Sequence, residues 1–374
     1  MRSQEETENL GDTSSHRETP STHKENKRKN DRKIQETMKK WATKDQNENE
    51  EVYLGDEMVP VKKDILRYTF QNINGIKLER EQPAWNHMME LVKEQEIGIF
   101  GFAETNVEWK PATHNQCAQI MKRVFKNREL ATSSSDVETH RNYKPGGTCT
   151  GVTGKWQSRV NIKGKDPKGM GRWSYIGIEG QDTKVLFITA YRVCAQQVTG
   201  TNSTTAFMQQ WTMIRHAGEK NPKPRERFIK DITEFIQEHQ KEKFEIVLGL
   251  DANEPLGVTK NGLHQLMQQT GLSDAHASIY KQQIPATYSR GRKKIDHILV
   301  SKRIQESITR ARMDEYHEGI QSDHQALYIV INFRKVIGGG NLRDPKQRRK
   351  NYHFKKPKDS EKIQGGSYKA NKAK

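Results

Sequence analysis

Short apolar runs recur along the middle of this chain, and each is bounded by polar or turn-forming residues. The runs are rich in β-branched and aromatic side chains, a pattern that predicts β-strands rather than helices. Strands are expected at residues 65–72, 97–102, 148–153, 173–178, 185–193, 244–250, 294–300 and 326–333.

Stretches with apolar residues at helical spacing lie between these runs. Helices are expected at residues 84–95, 116–126, 205–216, 225–240 and 263–270. Pro83 and Pro224 stand directly before two of the starts, where proline is well tolerated. Strands interleaved with helices predict an α/β domain of about 270 residues, in which sheets pack between helix layers.

The two ends of the chain have a different composition from the middle. Residues 1–60 are rich in Glu, Lys, Asn, Ser and Thr, so they are predicted to be a disordered, charged N-terminal extension. After the glycines at 338–340, lysine and arginine dominate, and residues 336–374 are predicted to be a disordered, basic C-terminal tail. The folded domain is expected to occupy residues 61–335.

Basic residues outnumber acidic ones, 64 to 47, which gives a net charge of +17. Such a balance favours a polyanionic partner such as nucleic acid, although a tail of this kind is also typical of a merely solvated extension. The basic segments 24–33 and 347–350 resemble nuclear import signals, so an intracellular, nuclear location is expected; ordinary basic tails carry similar clusters.

The cysteines and the hydropathy limit the other classes of protein. Cys117, Cys149 and Cys194 show no Cys-x-x-Cys spacing, so neither a disulfide framework nor a zinc site is expected. No stretch approaches the roughly 18–20 apolar residues that cross a bilayer, and the polar N-terminus is not a secretory signal. We expect neither a membrane association nor an obligate protein partner.

Polar residues stand where the predicted strands end. These short segments are Gln71-Asn72, Ala103-Glu104, Leu250-Asp251-Ala252-Asn253, Ile295-Asp296-His297 and Ser322-Asp323-His324. Carboxylates, amides and a histidine are the groups that hydrolyse a phosphate ester with a hard metal ion. Each has an ordinary alternative, because Asn72 also suits a turn cap, Glu104 a helix N-terminus, and Asp251 with Asn253 a turn before Pro255.

Asp296 and His324 are best interpreted as a pair. A buried carboxylate that accepts from one imidazole nitrogen fixes the tautomer, and the other nitrogen then donates to charge that develops on a phosphate. Asp323 is interpreted as a metal ligand or as a support for His324. Tyr191, at a strand end, either donates its hydroxyl to a phosphate or is a residue of the core edge.

These motifs resemble those of the endonuclease/exonuclease/phosphatase superfamily, which includes abasic-site endonucleases and the endonuclease domains of non-LTR retrotransposons. The resemblance covers roughly residues 65–333 and keeps the superfamily's motif order. The matching motifs are Gln71-Asn72, Ala103-Glu104-Thr105, Gly146-Gly147-Thr148, Thr189-Ala190-Tyr191, Leu250-Asp251-Ala252-Asn253, Ile295-Asp296-His297 and Ser322-Asp323-His324. Asn74 stands where nuclease members often carry an acid.

The resemblance implies a four-layered α/β sandwich with two packed β-sheets flanked by helices, and residues 61–335 would be its catalytic domain. It also implies roles for the site residues. Asn72 and Glu104 would hold Mg²⁺, with Mn²⁺ as a substitute, and Asp323 would be a secondary metal or structural ligand. Tyr191 would contact the scissile phosphate, which Asn253 would hold.

In the same scheme Asp251 would align or deprotonate the attacking water. Asp296 would orient His324, which would stabilise the transition state.

The surroundings of the motifs are the only guide to the substrate, because the fold does not select one. Four cations, Arg290, Arg292, Lys293 and Lys294, precede Asp296, and Arg192 follows Tyr191; a nucleic acid backbone suits this field, and a solvated basic turn is the alternative. We therefore expect a Mg²⁺-dependent phosphodiesterase, a DNA endonuclease of retroelement type. The alternatives are a phosphatase for a small phosphorylated molecule or lipid headgroup, and a non-catalytic nucleic-acid-binding module.

Overall fold

The computed structural model describes residues 54–336, except 58–59, 63, 79–81, 139–142, 181–182, 196–204, 258–261, 281–283 and 317–318. The extensions predicted at residues 1–60 and 336–374 lie almost entirely outside the described residues. The two basic segments at 24–33 and 347–350 lie wholly outside them.

The described strands form two mixed sheets, one seven-stranded and one six-stranded. In chain order the strands are β1 (Leu54–Gly55), β2 (Ile65–Asn72), β3 (Ile99–Ala103), β4 (Arg128–Ser133), β5 (Thr148–Thr153), β6 (Val160–Lys165), β7 (Trp173–Glu179), β8 (Lys184–Tyr191), β9 (Phe244–Asp251), β10 (Ser273–Asp274), β11 (Asp296–Val300), β12 (Ile308–Met313) and β13 (Leu327–Asn332). The strand orders are β1-β12-β13-β2-β3-β5-β4 and β10-β11-β9-β8-β7-β6.

The described helices are α1 (Pro83–Glu94), α2 (Pro111–Val124), α3 (Ala206–His216), α4 (Pro224–Lys241), α5 (Leu263–Thr270), α6 (Ala275–Tyr280), α7 (Lys302–Gln305) and α8 (Phe333–Val336), with a 3₁₀ helix at Gly154–Arg159. Helices α1, α2, α4 and α5 cover the outer faces of the sheets, and residues of the other helices pack against the apolar cluster between the sheets. None of the described helices combines the length and the apolar composition that a bilayer span requires.

Three apolar clusters define the layers. The largest lies between the two sheets and includes Tyr68, Phe187 and Ile329. A second packs α4 and α5 on the six-stranded sheet, with Phe228 at its centre, and a third packs α1 and α2 on the seven-stranded sheet around Trp85. Each fully buried side chain of this size contributes about 1.5–3 kcal/mol of burial free energy. The architecture is the four-layered α/β sandwich that was expected.

Every predicted strand is present, with ends within two residues of the predicted ones. The sequence pattern missed β4, β6 and β12, because polar and charged residues interrupt their apolar runs. It also missed the two-residue strands β1, which lies in the predicted extension and pairs with β12, and β10, because strands this short carry no periodicity. In β6 the burial alternates between half-buried and exposed residues along an edge strand. Helix α2 begins at Pro111, well before its predicted start, because proline occupies the first helical turn, where its missing N–H costs nothing.

Two parallel strand pairs determine where the polar strand ends lie. β2 and β3 run parallel, so Asn72 and the residue after Ala103 leave the same edge of the seven-stranded sheet. β8 and β9 also run parallel, which sets Tyr191 beside Asp251. β11 runs antiparallel to β9 and begins at Asp296, directly opposite Asp251. The carboxyl ends of four strands and the start of a fifth therefore surround one cleft.

Candidate active site

Side chains from both sheets contact one another in this cleft. Asn72 Nδ2 lies 2.8 Å from Glu104 Oε2 and 2.7 Å from Asp251 Oδ2. The Tyr191 hydroxyl donates to Glu104 Oε1 at 3.3 Å. Because Asn72 belongs to the seven-stranded sheet and Asp251 to the six-stranded one, these contacts join the two sheets at their common edge.

Asp296 and His324 form the pair that the sequence predicted. His324 Nδ1 donates to Asp296 Oδ2 at 2.8 Å, and Asp296 is fully buried. Potential ligand atoms of Asp251, Asp296 and His324 all lie within 4.8 Å of one another. Among the described residues, His324 Nε2 has no hydrogen-bond partner, so it can donate into the cleft.

The electrostatic balance keeps the His324 ring positively charged at neutral pH. Burial alone would lower its pKa, but the charge and the hydrogen bond of Asp296 outweigh burial and raise the pKa to about 9. An imidazolium ring has no free lone pair, so His324 is suited to donate a hydrogen bond rather than to hold a metal ion.

Burial disfavours the ionised forms of the two central carboxyl groups, Glu104 and Asp251. Burial raises the pKa of Glu104, against the hydrogen bond from Asn72. Burial and then the neighbouring charge of Asp296 raise the pKa of Asp251 to about 8. The main origin of both shifts is burial, which disfavours the charged form of a carboxyl group.

The donor set fits a hard divalent cation. Glu104 and Asp251 present carboxylate oxygens to the same small volume. Asn72 donates from Nδ2 to both of them, and its Oδ1 accepts from the Asn74 backbone N–H at 2.9 Å, so its amide would have to turn to offer an oxygen to a cation. Carboxylate and amide oxygens are the usual ligands of Mg²⁺, and a cation would favour the ionised forms of Glu104 and Asp251 that burial disfavours. Asp296 is the less suitable ligand because one of its oxygens is committed to His324.

Asn253 lies at the rim of the cleft in an unusual conformation. Its φ is +47°, in the left-handed region, and its backbone N–H donates to Asp251 Oδ1 at 2.9 Å. One amide N–H donates to the carbonyl of Arg192 at 2.8 Å, and the second remains for a ligand. The Cys194 thiol donates to Asn253 Oδ1 at 2.9 Å and so fixes which way the amide faces.

Asp323 lies farther out, where it contacts Asn74 and Arg290. Asn74 Nδ2 donates to one carboxylate oxygen at 3.2 Å, and the Arg290 guanidinium donates to the other at 3.2 Å. Arg290, Arg292 and Lys293 are all exposed on the loop before Asp296. Their placement therefore suits contact with a polyanion near the cleft.

Arg192 and Lys294 are placed differently from the prediction that they bind nucleic acid. Arg192 is buried and lies 2.7 Å from the Glu254 carboxylate. Lys294 is buried and lies 2.5 Å from the Asp274 carboxylate. Since an internal carboxylate neutralises each cation away from solvent, neither is placed to meet a phosphate backbone, and this part of the prediction is corrected.

Several residues of the cleft escaped sequence analysis. Ser322 Oγ donates to the carbonyl of Asn72 at 2.7 Å and accepts from the His324 backbone N–H at 3.1 Å, which ties the histidine turn to β2. The Tyr288 ring lies against His324, with centroids 4.9 Å apart. Ser322 stands inside a motif and was within reach of sequence reasoning, whereas nothing in the sequence marks Tyr288.

The comparisons with known proteins agree with the fold. No protein-family model matches this sequence, and no curated protein does. Among solved structures, an AP endonuclease from Leishmania major aligns with a TM-score of 0.52 and 10% identity, over 75% of this chain and 93% of that one. An AP endonuclease from Archaeoglobus fulgidus gives 0.48 and 15%, over 71% and 99%. The endonuclease domain of TRAS1, a telomere-specific non-LTR retrotransposon, gives 0.44 and 12%, over 71% and 98%.

The fold and the cleft define an α/β sandwich with an acidic, amide- and histidine-lined site at one edge of its paired sheets. The chain shares its fold with the AP endonuclease from Leishmania major, as the resemblance in the sequence predicted.

Proposed function

We propose that this protein is a Mg²⁺-dependent phosphodiesterase that cuts DNA. The observation that carries the proposal is the convergence of Asn72, Glu104, Asp251, Asp296 and His324, which come from five separate parts of the chain. Side chains of this kind are costly to bury together, and their common position serves no packing purpose. Their chemistry is that of phosphoester hydrolysis.

In this proposal Glu104 and Asn72 hold the metal ion, with Asp323 as a secondary or structural ligand. When bound, Mg²⁺ would neutralise charge on the phosphate and polarise it. Asp251 aligns the attacking water and accepts its proton. Burial raises the pKa of Asp251, which makes its carboxylate a stronger base than an exposed aspartate, and a nearby divalent cation would keep it ionised at neutral pH.

The remaining groups stabilise the charge that develops on the phosphate. His324 donates from Nε2 as an imidazolium, and Asp296 holds its ring. Asn253 donates its second amide N–H. Burial raises the pKa of Tyr191 well above its ordinary value, so the hydroxyl keeps its proton and acts as a donor to Glu104 or to the phosphate.

DNA is the proposed substrate because of the charge around the cleft. The chain carries +17 overall, and exposed Arg290, Arg292 and Lys293 lie on the loop that leads to Asp296. The superfamily fold is also that of the AP endonuclease from Leishmania major. We propose further that the enzyme is of retroelement type, because of the order of its sequence motifs. We also propose that it works in the nucleus, because the basic segments 24–33 and 347–350 resemble nuclear import signals.

Parallel cleavage assays test the proposal. A supercoiled plasmid, an abasic duplex, single-stranded RNA and an inositol polyphosphate are incubated in Mg²⁺ or in EDTA at low ionic strength, because phosphate contacts weaken steeply with salt. We expect cleavage of DNA in Mg²⁺ and its loss in EDTA and in His324→Ala. Turnover of the inositol polyphosphate alone would instead identify a phosphatase. DNA binding without cleavage in any divalent metal would instead identify a non-catalytic nucleic-acid-binding module.

A further inference from the structure

The segment from Asp251 to Glu254 is held by its backbone carbonyls. Arg192 donates twice, from its backbone N–H to the carbonyl of Asp251 at 2.9 Å and from Nη1 to the carbonyl of Ala252 at 3.4 Å. Arg225 Nη2 donates to the carbonyl of Asn253 at 3.3 Å. Three successive carbonyls thus accept hydrogen bonds from two arginines.

The fourth carbonyl has a partner on another strand. His297 Nε2 lies 3.2 Å from the carbonyl of Glu254, and His297 Nδ1 lies 2.8 Å from the buried carboxylate of Asp274. Asp274 also contacts Lys294. The start of β11 is therefore tied to the segment that follows β9.

The arginines are themselves fixed by a buried carboxylate. Glu254 Oε2 lies 2.7 Å from Arg192 Nη1 and 3.4 Å from Arg225 Nη2, while Oε1 accepts from the backbone N–H of Leu263 at the start of α5. A side chain at Gly262 would place its Cβ 2.0 Å from this carboxylate, so the site has room for Glu254 only because residue 262 is glycine.

This arrangement imposes the geometry of Asn253. Asparagine adopts a φ of +47° more readily than other non-glycine residues do, and the contacts around Asn253 hold it there. These contacts are the carbonyl bonds from Arg225 and Arg192 and the bond from Asn253 Nδ2 to the carbonyl of Arg192. The distance between the Asp251 carboxylate and the Asn253 amide is set by these contacts.

We propose that Arg225 and Arg192 are positioning residues of the phosphodiesterase site. They hold the 251–254 segment so that the water-activating carboxylate and the phosphate-binding amide keep one fixed spacing. The inference rests on the proposed function for its catalytic meaning. Neither guanidinium needs to contact DNA, because each donates hydrogen bonds to protein carbonyls and to the Glu254 carboxylate.

The principal test replaces Arg225, whose side chain is 19% exposed and is therefore the safer of the two for folding. We expect Arg225→Gln to lower kcat for DNA cleavage about 10- to 100-fold, the usual effect of a small misplacement of catalytic groups, with little change in KM. Arg128→Gln is the matched control, because Arg128 is also partly buried and donates to a backbone carbonyl, at 3.1 Å, far from the cleft.

A double-mutant cycle separates positioning from direct substrate contact. If Arg225 acts through Asn253, the double variant Arg225→Gln, Asn253→Ala has nearly the kcat of Asn253→Ala alone. If the two losses multiply, or if Arg225→Gln raises KM with kcat unchanged, Arg225 contacts DNA and the inference is overturned.

Hydrogen exchange gives a readout that does not depend on activity. We expect the backbone amides of residues 251–254 to exchange faster in Arg225→Gln than in wild type, and at the wild-type rate in Arg128→Gln. Unchanged exchange in Arg225→Gln would overturn the inference. Should Arg225→Gln fail to fold, Arg225→Lys serves instead. A smaller loss of kcat is expected for Arg225→Lys, because an ammonium group keeps the charge but cannot reach both the Asn253 carbonyl and the Glu254 carboxylate.

The outcomes for the two proposals are distinguishable. A wild-type protein that cleaves no phosphodiester refutes the proposed function, while the exchange measurement still tests whether Arg225 holds the segment. A wild-type protein that cleaves DNA, together with an Arg225→Gln variant as active as Arg128→Gln, refutes the positioning role alone.

Discussion

The charge of Asp296 controls the protonation of His324, and Asp296→Asn removes that charge while keeping the shape. The asparagine oxygen can still accept from Nδ1 across the 2.8 Å contact, so the ring is expected to stay in place. Burial then acts on His324 against only the charges of Asp251 and Asp323. We expect its pKa to fall from about 9 towards the ordinary value of about 6.5.

The size of the effect follows from that fall. At pH 7.5 nearly every wild-type molecule carries an imidazolium, whereas at a pKa of 6.5 only about one in ten does. If the reaction needs the charged ring, kcat at pH 7.5 follows the protonated fraction, so we expect it to drop about tenfold. Partial recovery is expected below pH 6, where the ring regains its proton.

The same shift changes the stability of the protein. A raised folded-state pKa contributes stability that is complete below the unfolded value of about 6.5 and is lost as the pH rises through about 9. At about 1.36 kcal/mol for each pH unit between the two values, His324 contributes about 3 kcal/mol at pH 6. Asp296→Asn removes this pH-dependent part.

Three measurements check the prediction: the pH profile of kcat, an NMR titration of the His324 ring, and urea unfolding between pH 6 and 9. The control is Asp314→Asn, because Asp314 is a buried aspartate that pairs with Arg312. The control should lose stability but keep the wild-type pH profile of kcat. An Asp296→Asn variant whose His324 still titrates near pH 9 would refute the reasoning.

The remaining predictions concern stability away from the catalytic chemistry. Trp85→Ala, in the core under α1 and α2, is expected to cost about 3–5 kcal/mol of unfolding free energy in urea; a loss below about 1 kcal/mol would mean that this core is loosely packed. Arg172→Met is expected to cost about 3–5 kcal/mol, because it leaves the carboxylate of Asp166 buried without a cation and takes from Asp231 one of its three cationic partners; a Tm equal to wild type would contradict it. Burial opposes ionisation of Asp274, but its cationic partners outweigh burial and hold its pKa well below the ordinary range, so its contribution is complete above about pH 4 and is lost at lower pH. Asp274→Asn should therefore weaken the loss of unfolding free energy below about pH 4, measured by urea unfolding. If that loss is unchanged, Asp274 is not its source.

Much of the architecture could be predicted from the sequence. The apolar runs at β2, β5 and β9 and the amphipathic face of α4 follow from periodicity alone, because such a pattern can bury its apolar side in only one type of secondary structure. Polar edge strands such as β6 were missed for the same reason, since their register is set by pairing rather than by their own apolar residues.

For the candidate site, the sequence indicated which residues to consider but not which of them contact one another. Asn72, Glu104, Asp251 and His324 stand at strand ends in the sequence, and the tertiary structure places them together. Which of these arginines are exposed could not be predicted, because Arg192 and Arg290 look alike along the chain. Only the fold decides that Arg192 meets Glu254 in the interior while Arg290 lies in solvent beside Asp323.

The sequence by itself therefore determined the strands, the amphipathic helices and the residue types that can perform phosphoester chemistry. The tertiary structure alone decided which charges are neutralised in the interior and how the 251–254 segment is held. The physical reason is the separation along the chain over which each kind of interaction acts. Periodicity and turn chemistry act between residues that are near in sequence, whereas the pairing of Arg192, Arg225 and His297 with the segment after β9 depends on which strands the fold makes neighbours.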